Sequence, residues 1–294
     1  SRGLGDVYKR QPRMCGVNRK NNLGFCASPQ EFRLARAALH YWEEPCISGK
    51  NGSGTVFFSG CNLKCVFCQN HEISLENKGV EVSDEKLIEI FERLIESGAN
   101  NINLVNPTHY ALRLANVLSK WKCPVPVVYN SGGYENIETL KFLDGLIDIY
   151  LPDFKYIRND KAQRYGKAAN YPEVAKAAIA EMVRQQPKCE FCGDVMQKGV
   201  IIRHLILPQN TNSAVEIIDY AANNFPQVYL SLMSQYTPCG DLSACPEINR
   251  KITRREYEKV VSHAIDVGFQ NVFVQELDSA GKDFIPPFDL TGVL

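Results

Sequence analysis

From Thr55 onward, short apolar runs alternate with longer stretches in which apolar residues recur every three or four positions. The short runs are Thr55–Ser59, Ile102–Val105, Val125–Asn130, Ile147–Leu151, Val200–Leu207, Val228–Met233 and Val272–Gln275. They are rich in Val, Ile, Tyr and Phe and mostly unbroken by polar residues, as parallel strands buried on both faces should be. The longer stretches predict helices over 84–97, 109–120, 136–143, 173–185, 213–223 and 254–266. The clearest is 84–97, where Leu87, Ile88, Phe91, Leu94 and Ile95 form one stripe. Ser83 stands at its N-cap, Asp84 and Glu85 occupy its first turn, and Gly98 follows its end. Upstream, Glu31–Tyr41 predicts one short amphipathic helix.

Six or seven consecutive βα units predict an α/β fold, a parallel sheet with right-handed crossovers. An open doubly wound sheet and a full or partial barrel both satisfy that pattern. No internal repeat or second domain boundary is visible. Residues 1–11 have no apolar periodicity and read as a non-native or disordered tail. Residues 12–52 read as a Cys-containing N-terminal appendage, and 53–294 as the core domain.

Composition narrows the function. Lys plus Arg (33) equals Asp plus Glu (33) in 294 residues. A chain without surplus positive charge is a poor general binder of nucleic acid or anionic membranes. No apolar run approaches the ~18 residues of a membrane span. Neither nucleic acid nor a membrane is an expected partner, and no secretory signal is visible.

The cysteines carry the chemistry. There are eleven, an odd number, and six fall within the first 68 residues. Without a secretory signal, metal binding or redox chemistry is a better expectation than a disulfide framework. After the first expected core strand comes Gly60-Cys61-Asn62-Leu63-Lys64-Cys65-Val66-Phe67-Cys68. Three thiolates on one loop, spaced C-x3-C-x2-C, can hold three corners of an iron–sulfur cube and leave the fourth iron open to a small molecule. The competing expectation is a structural zinc site with Cys46 or a distant residue as fourth ligand, though such sites favour paired knuckles. That alternative describes a metal-binding or electron-transfer protein without catalysis.

The motif, its aromatic Phe67 and its place after a strand resemble the radical S-adenosylmethionine (radical SAM) superfamily. Further stretches resemble its pyruvate formate-lyase activating enzyme-like branch: Glu43–Gly54, Phe57–Ser74, Asn103–Tyr110, Tyr150–Tyr156, Arg203–Pro208 and Leu232–Pro238. The resemblance implies a partial (β/α)6 barrel with a [4Fe–4S] cluster on Cys61, Cys65 and Cys68 at its open top. It implies S-adenosylmethionine chelated to the open iron and cleaved to methionine and a hydrogen-abstracting 5′-deoxyadenosyl radical. It further implies a cytoplasmic enzyme, reduced flavodoxin or ferredoxin as electron donor, and a glycyl-radical enzyme as protein substrate. A different protein, peptide or small-molecule substrate stays open.

In parallel α/β folds the working groups gather at the carboxyl ends of strands. After the second expected strand come Asn103, Asn106, Thr108 and His109, where most of the superfamily has a Gly-Gly-Glu run. Asn103, Asn106 and Thr108 are the expected S-adenosylmethionine contacts, with a helix N-cap the plain alternative for Thr108. Asn130 and Ser131, before Gly132 and Gly133, are expected on the same ligand. Asp153 and Lys155, alternating with Phe154, match an Asp-x-Lys of the resembling branch and are expected in the catalytic set, against a surface ion pair. Arg203 is expected to face the lumen near a carboxylate and to join them. His204 is a cofactor contact or a neutral core histidine. Gln235 and Tyr236 are a ligand contact or rim packing.

The remaining cysteines give weaker signals. Cys15 and Cys26 do not by themselves predict a metal site. Cys189 and Cys192 have knuckle spacing but precede strand five, on the bottom face, whereas Cys239 and Cys245 follow strand six on the top. Cys46 and Cys123 read as small buried hydrophobes. One cluster is therefore expected. Arg250, Lys251, Arg254, Arg255 and Lys259 read as a solvated face, or else as a dock for an acidic electron donor.

Overall fold

A computed structural model describes residues 11–275, 277 and 286–294. Ten strands form one mixed sheet: β1 (Phe32–His40), β2 (Ser53–Phe58), β3 (Val80–Val82), β4 (Ile102–Val105), β5 (Val127–Ser131), β6 (Ile149–Pro152), β7 (Glu190–Cys192), β8 (Val195–Leu205), β9 (Tyr229–Met233) and β10 (Val272–Val274). The helices are α1 (Pro45–Ser48), α2 (His71–Ser74), α3 (Asp84–Glu96), α4 (Ala111–Lys120), α5 (Ile137–Leu140), α6 (Asn159–Gly166), α7 (Tyr171–Gln185), α8 (Thr211–Asn224) and α9 (Arg254–Asp266). The strand order is β10-β9-β8-β6-β5-β4-β2-β1-β3, with β7 hairpinned onto β8.

Seven strands, from β2 through β10 in that order, pair in parallel. β1, β3 and β7 pair antiparallel. The sheet does not close on itself, its edges being β3 and β10, so the α/β fold is a partial barrel. The expected strands are present with shifted ends: the third runs 127–131, the fourth 149–152, and the fifth begins at Val195 because β7 pairs with its extension.

Two apolar layers flank the sheet. Outside, α3, α4, α7 and α8 bury residues such as Phe91, Leu114, Ile179 and Ile217 against the strands. Each such side chain contributes about 1.5–3 kcal/mol when withdrawn from water. α3 has the expected cap, with Ser83 accepting from the Lys86 amide. Inside, Val128, Ile149, Leu151, Ile201 and Met196 fill the lower lumen, and α1 plugs it with Cys46 and Ile47. Cys46 is thus the small buried hydrophobe expected of it.

One element differs in kind from its sequence expectation. The segment expected as an amphipathic helix over 31–41 instead forms strand β1, Phe32–His40. A register shift between Leu34 and Arg36 breaks the two-residue alternation, so the apolar positions fall at spacings that imitate a helix. Pairing with β2 and β3 then outweighs the helix propensity of its Leu, Ala and Arg.

The lead-in is tied into the barrel. Gln11, expected in the tail, is buried and donates from Nε2 to Thr108 O at 2.7 Å; residues 1–10 lie outside the described set. The last residues run beside β1, with Leu290 N donating to Ala35 O and Ala37 N to Thr291 O. Among the described residues no helix is long and apolar enough to cross a membrane.

Candidate active site

The Cys loop leaves β2 at Gly60, whose positive φ lets the chain pass against Ser28 and Cys26; a Cβ there would strike both. The loop is then fixed from several sides. Cys61 N donates to Cys26 O at 3.3 Å, and Val66 N to Tyr165 O at 2.9 Å. Asn62 donates to Tyr134 O at 2.6 Å. Arg13, from the lead-in, donates to Asn62 O (2.8 Å) and to Lys167 O (2.5 Å) at the C-terminal end of α6, where carbonyls attract a cation. Phe67, the aromatic of the motif, packs edge-on against Tyr236.

Cys61, Cys65 and Cys68 line one cavity of about 270 Å³ at the carboxyl ends of the parallel strands. Asn106, Asn130, Ser131, Gly132, Asp153, Lys155, Arg203, Gln235 and Tyr236 line it too. Most strand-end residues singled out in the sequence therefore meet around the three thiols.

The charges are arranged in a chain. Lys155 Nζ bonds Asp153 Oδ2 at 2.5 Å, and Asp153 Oδ1 accepts from Arg203 Nε at 3.0 Å. Arg203 Nη2 donates to Asn130 Oδ1 at 2.6 Å. Burial alone would raise the Asp153 pKa, but Arg203 and Lys155 together hold it below its ordinary value. Burial pushes the Cys61 thiol up to about 12 and raises Cys65 and Cys68; the Lys155 ammonium acts against that rise on all three. Tyr156 OH and Ser74 Oγ lie 3.5 and 3.1 Å from the Cys65 and Cys68 sulfurs.

Three expected contacts do not reach the cavity. His204 points away from Arg203, as neighbours on a strand must. Its Nδ1–H donates to Phe154 O at 2.8 Å, and burial lowers its pKa to about 4. It is a neutral core histidine. Thr108, fully buried, donates to Glu135 Oε1 at 2.5 Å rather than facing the lumen. Asn103 faces the lumen below the cavity and donates to Glu43. His109 is likewise internal, its ring bonded to Ser59 O and its pKa lowered to about 3 by burial and Arg19.

Sequence reading passed over three carboxyls. Glu43 lines the cavity. Glu44 is buried beside it; desolvation raises the pKa of both and Arg203 opposes the rise. Glu135 is 1 % exposed, and burial lifts it to about 7 against its bonds from Thr108, Ser131 and Tyr129. The available signal was Glu43-Glu44-Pro45: two adjacent carboxylates ahead of a proline that starts α1.

The donor set suits a cube better than a single ion. Among the described residues, no three His, Cys, Asp or Glu groups converge as a mononuclear site requires. A cube takes each thiolate on a different iron, and three thiols from one loop lining one cavity suit that need. All eleven cysteines are free. Cys239 donates to Phe67 O at 3.1 Å, on the loop that covers the Cys motif, and Cys245 is buried nearby. Cys189 packs at the barrel bottom with Cys46, and Cys192 and Cys15 are exposed. Cys26 accepts from Arg19 Nη2 at 3.3 Å. Of the basic run, Arg250 pairs with Glu256, and Lys259 donates to Asn212.

A sequence profile described as the radical SAM superfamily matches residues 55–221. An uncharacterised protein of Methanocaldococcus jannaschii is 32 % identical over 260 residues, covering 85 % of this chain and 72 % of its own. Among solved structures, Streptococcus suis SuiB, bound to precursor peptide SuiA, superposes with a TM-score of 0.51 at 14 % identity. That match covers 75 % of this chain and 48 % of SuiB, so the chain spans about half of that protein. The FeFe-hydrogenase maturase HydG from Carboxydothermus hydrogenoformans gives 0.47 at 13 % identity, covering 73 % of this chain and 50 % of its own.

Proposed function

The chain belongs to the radical SAM superfamily, whose members use a [4Fe–4S] cluster and S-adenosylmethionine, and we propose that Cys61, Cys65 and Cys68 hold that cluster in an enzyme that abstracts hydrogen from another protein. The observation that carries this reading is the meeting of three thiols from one loop with the polar ends of five parallel strands in one cavity. When bound, the cluster and S-adenosylmethionine supply the 5′-deoxyadenosyl radical; the protein's part is to bind, orient and exclude water.

Residues of this chain fit those tasks. Lys155 places a positive charge beside the three thiols, which must be deprotonated to bind iron. Asn106, Asn130, Ser131 and Gln235 offer amide and hydroxyl groups to a polar ligand. Asn106 sits at positive φ, a conformation asparagine tolerates, and its side chain bonds Gly60 O. That bond ties the end of β4 to the Cys loop. Asp153 and Arg203 hold each other and fix Lys155. Phe67, Leu63, Met233 and Tyr236 line the walls with apolar surface.

The target we propose is a glycine of a glycyl-radical enzyme, with reduced flavodoxin or ferredoxin supplying electrons. Support comes from the stretches that resemble the pyruvate formate-lyase activating branch, notably Glu43–Gly54 and Tyr150–Tyr156. A second reading is a different protein, peptide or small-molecule substrate. It is favoured by Asn106-Pro107-Thr108-His109 standing where most of the superfamily has Gly-Gly-Glu. The reduced, reconstituted protein should be mixed anaerobically with S-adenosylmethionine and a pyruvate formate-lyase-type enzyme. A glycyl doublet in the electron paramagnetic resonance spectrum supports the first target. Nucleoside release without the doublet supports the second.

A further inference from the structure

Above the apolar lower lumen lies a polar layer in which strand-end residues converge on a carboxyl from outside the strands. Its centre is Glu43, which enters from the segment between β1 and α1. Glu43 Oε1 accepts from Asn103 Nδ2 (3.1 Å) on β4 and from Asn130 Nδ2 (3.3 Å) on β5. Its Oε2 accepts from Arg203 Nη1 (3.3 Å) on β8. One carboxylate thus links three strands of the barrel. Stability alone does not call for such a layer, since a well-packed apolar replacement for a buried ion pair is often neutral or stabilising. The apolar layer directly beneath it demonstrates that this barrel can be filled that way.

The layer is also where the cavity ends. Glu43, Asn130, Asp153 and Arg203 all line the cavity. The guanidinium of Arg203 has five N–H donors. Three go to Asp153, Glu43 and Asn130. Two are left without a partner among the described residues, on a group held rigidly by the other three. Asn130 is bound at both ends of its carboxamide, by Glu43 and by Arg203, which fixes its orientation as well.

We propose that Glu43 is a positioning residue: it sets Arg203 and Asn130 so that the cavity floor offers fixed N–H donors to acceptor groups of the bound ligand. The inference rests on the reading that this cavity takes S-adenosylmethionine. The hydrogen bonds of Glu43 go to Asn103, Asn130 and Arg203 and not to the three cysteines, so its effect on ligand binding is separable from cluster assembly.

The test uses the anaerobically reconstituted protein, with S-adenosylmethionine as probe in equilibrium dialysis and iron content measured in parallel. Glu43→Ala should bind about tenfold more weakly, the size of one coupled buried contact, with iron content unchanged. Glu43→Gln keeps the shape and one acceptor oxygen and should fall between Ala and the native residue. In combination with Arg203→Lys, Glu43→Ala should add little further loss, because both act through the same guanidinium. Native affinity in Glu43→Ala, or losses that add in full, would overturn the inference. So would iron loss in Glu43→Gln, which would make Glu43 a structural residue of the cluster site. Failure of the native protein to bind the probe at all would instead remove the functional reading on which the inference rests.

Discussion

Replacing His204 by Asn probes the division between the cavity and the core behind it. The His204 ring is buried, and its Nδ1–H donates to Phe154 O at 2.8 Å. Burial lowers its pKa from 6.5 to about 4. That gap, at about 1.36 kcal/mol per pH unit, amounts to about 3 kcal/mol. The folded-state value lies below the unfolded one, so the unfolded chain takes up the proton first. Stability from this group is complete above pH 6.5 and is lost as the pH falls towards 4. Between pH 7 and pH 5 the loss comes to about 2 kcal/mol. An Asn side chain can still donate to Phe154 O but does not titrate. Urea unfolding of both proteins at pH 7 and pH 5 isolates the histidine, because groups common to both, such as Glu135, cancel in the difference. The stability advantage of the native protein over His204→Asn should shrink by about 2 kcal/mol at pH 5. An advantage independent of pH would refute a neutral buried ring. Lost S-adenosylmethionine binding in His204→Asn, with the fold intact, would refute its placement outside the cavity.

Three further substitutions test separate parts of the site. Gly133 has φ 72°, and a Cβ there would strike Asp153 O, so Gly133→Ala should cost about 1–3 kcal/mol in denaturant unfolding and weaken S-adenosylmethionine binding by shifting Asp153. Arg13→Gln removes the donors to Asn62 O and Lys167 O; the Cys loop loses one of its ties to α6, keeping that from Val66 N to Tyr165 O, and iron should leave faster on dilution into a chelator. Thr253→Ala breaks the capping box that Thr253 forms with Glu256 at the start of α9. It should cost about 1 kcal/mol in thermal or urea unfolding and leave S-adenosylmethionine affinity unchanged.

Much of the fold was legible because parallel strands buried on both faces announce themselves as unbroken apolar runs, and β2, β4, β5, β6, β8, β9 and β10 were all found that way. β1 was not, because its bulge imposes helix-like spacing on a strand. β3 and β7 are three residues long and carry too little pattern to register. At the site, the Cys loop was legible from local spacing alone. Asp153, Lys155 and Arg203 followed from the rule that strand ends gather at one face. Glu43 and Glu135 were not, since each matters through contacts with residues 60 to 160 positions away or through a turn whose shape the sequence leaves open. His204 near the end of β8 faces the packed core rather than the cavity, and Thr108 opens a helical turn beyond β4 and is buried. For His204 a one-residue change of phase decides that, and the apolar pattern around it does not fix the phase.

The central claim is tested most directly by 5′-deoxyadenosine release. The protein is purified anaerobically, reconstituted with iron and sulfide, reduced and given S-adenosylmethionine, and the nucleoside is quantified by chromatography beside a Cys65→Ala control. Release by the native protein that disappears in the control is the predicted result. A native protein that assembles no cluster, or equal release from both proteins, would contradict the account.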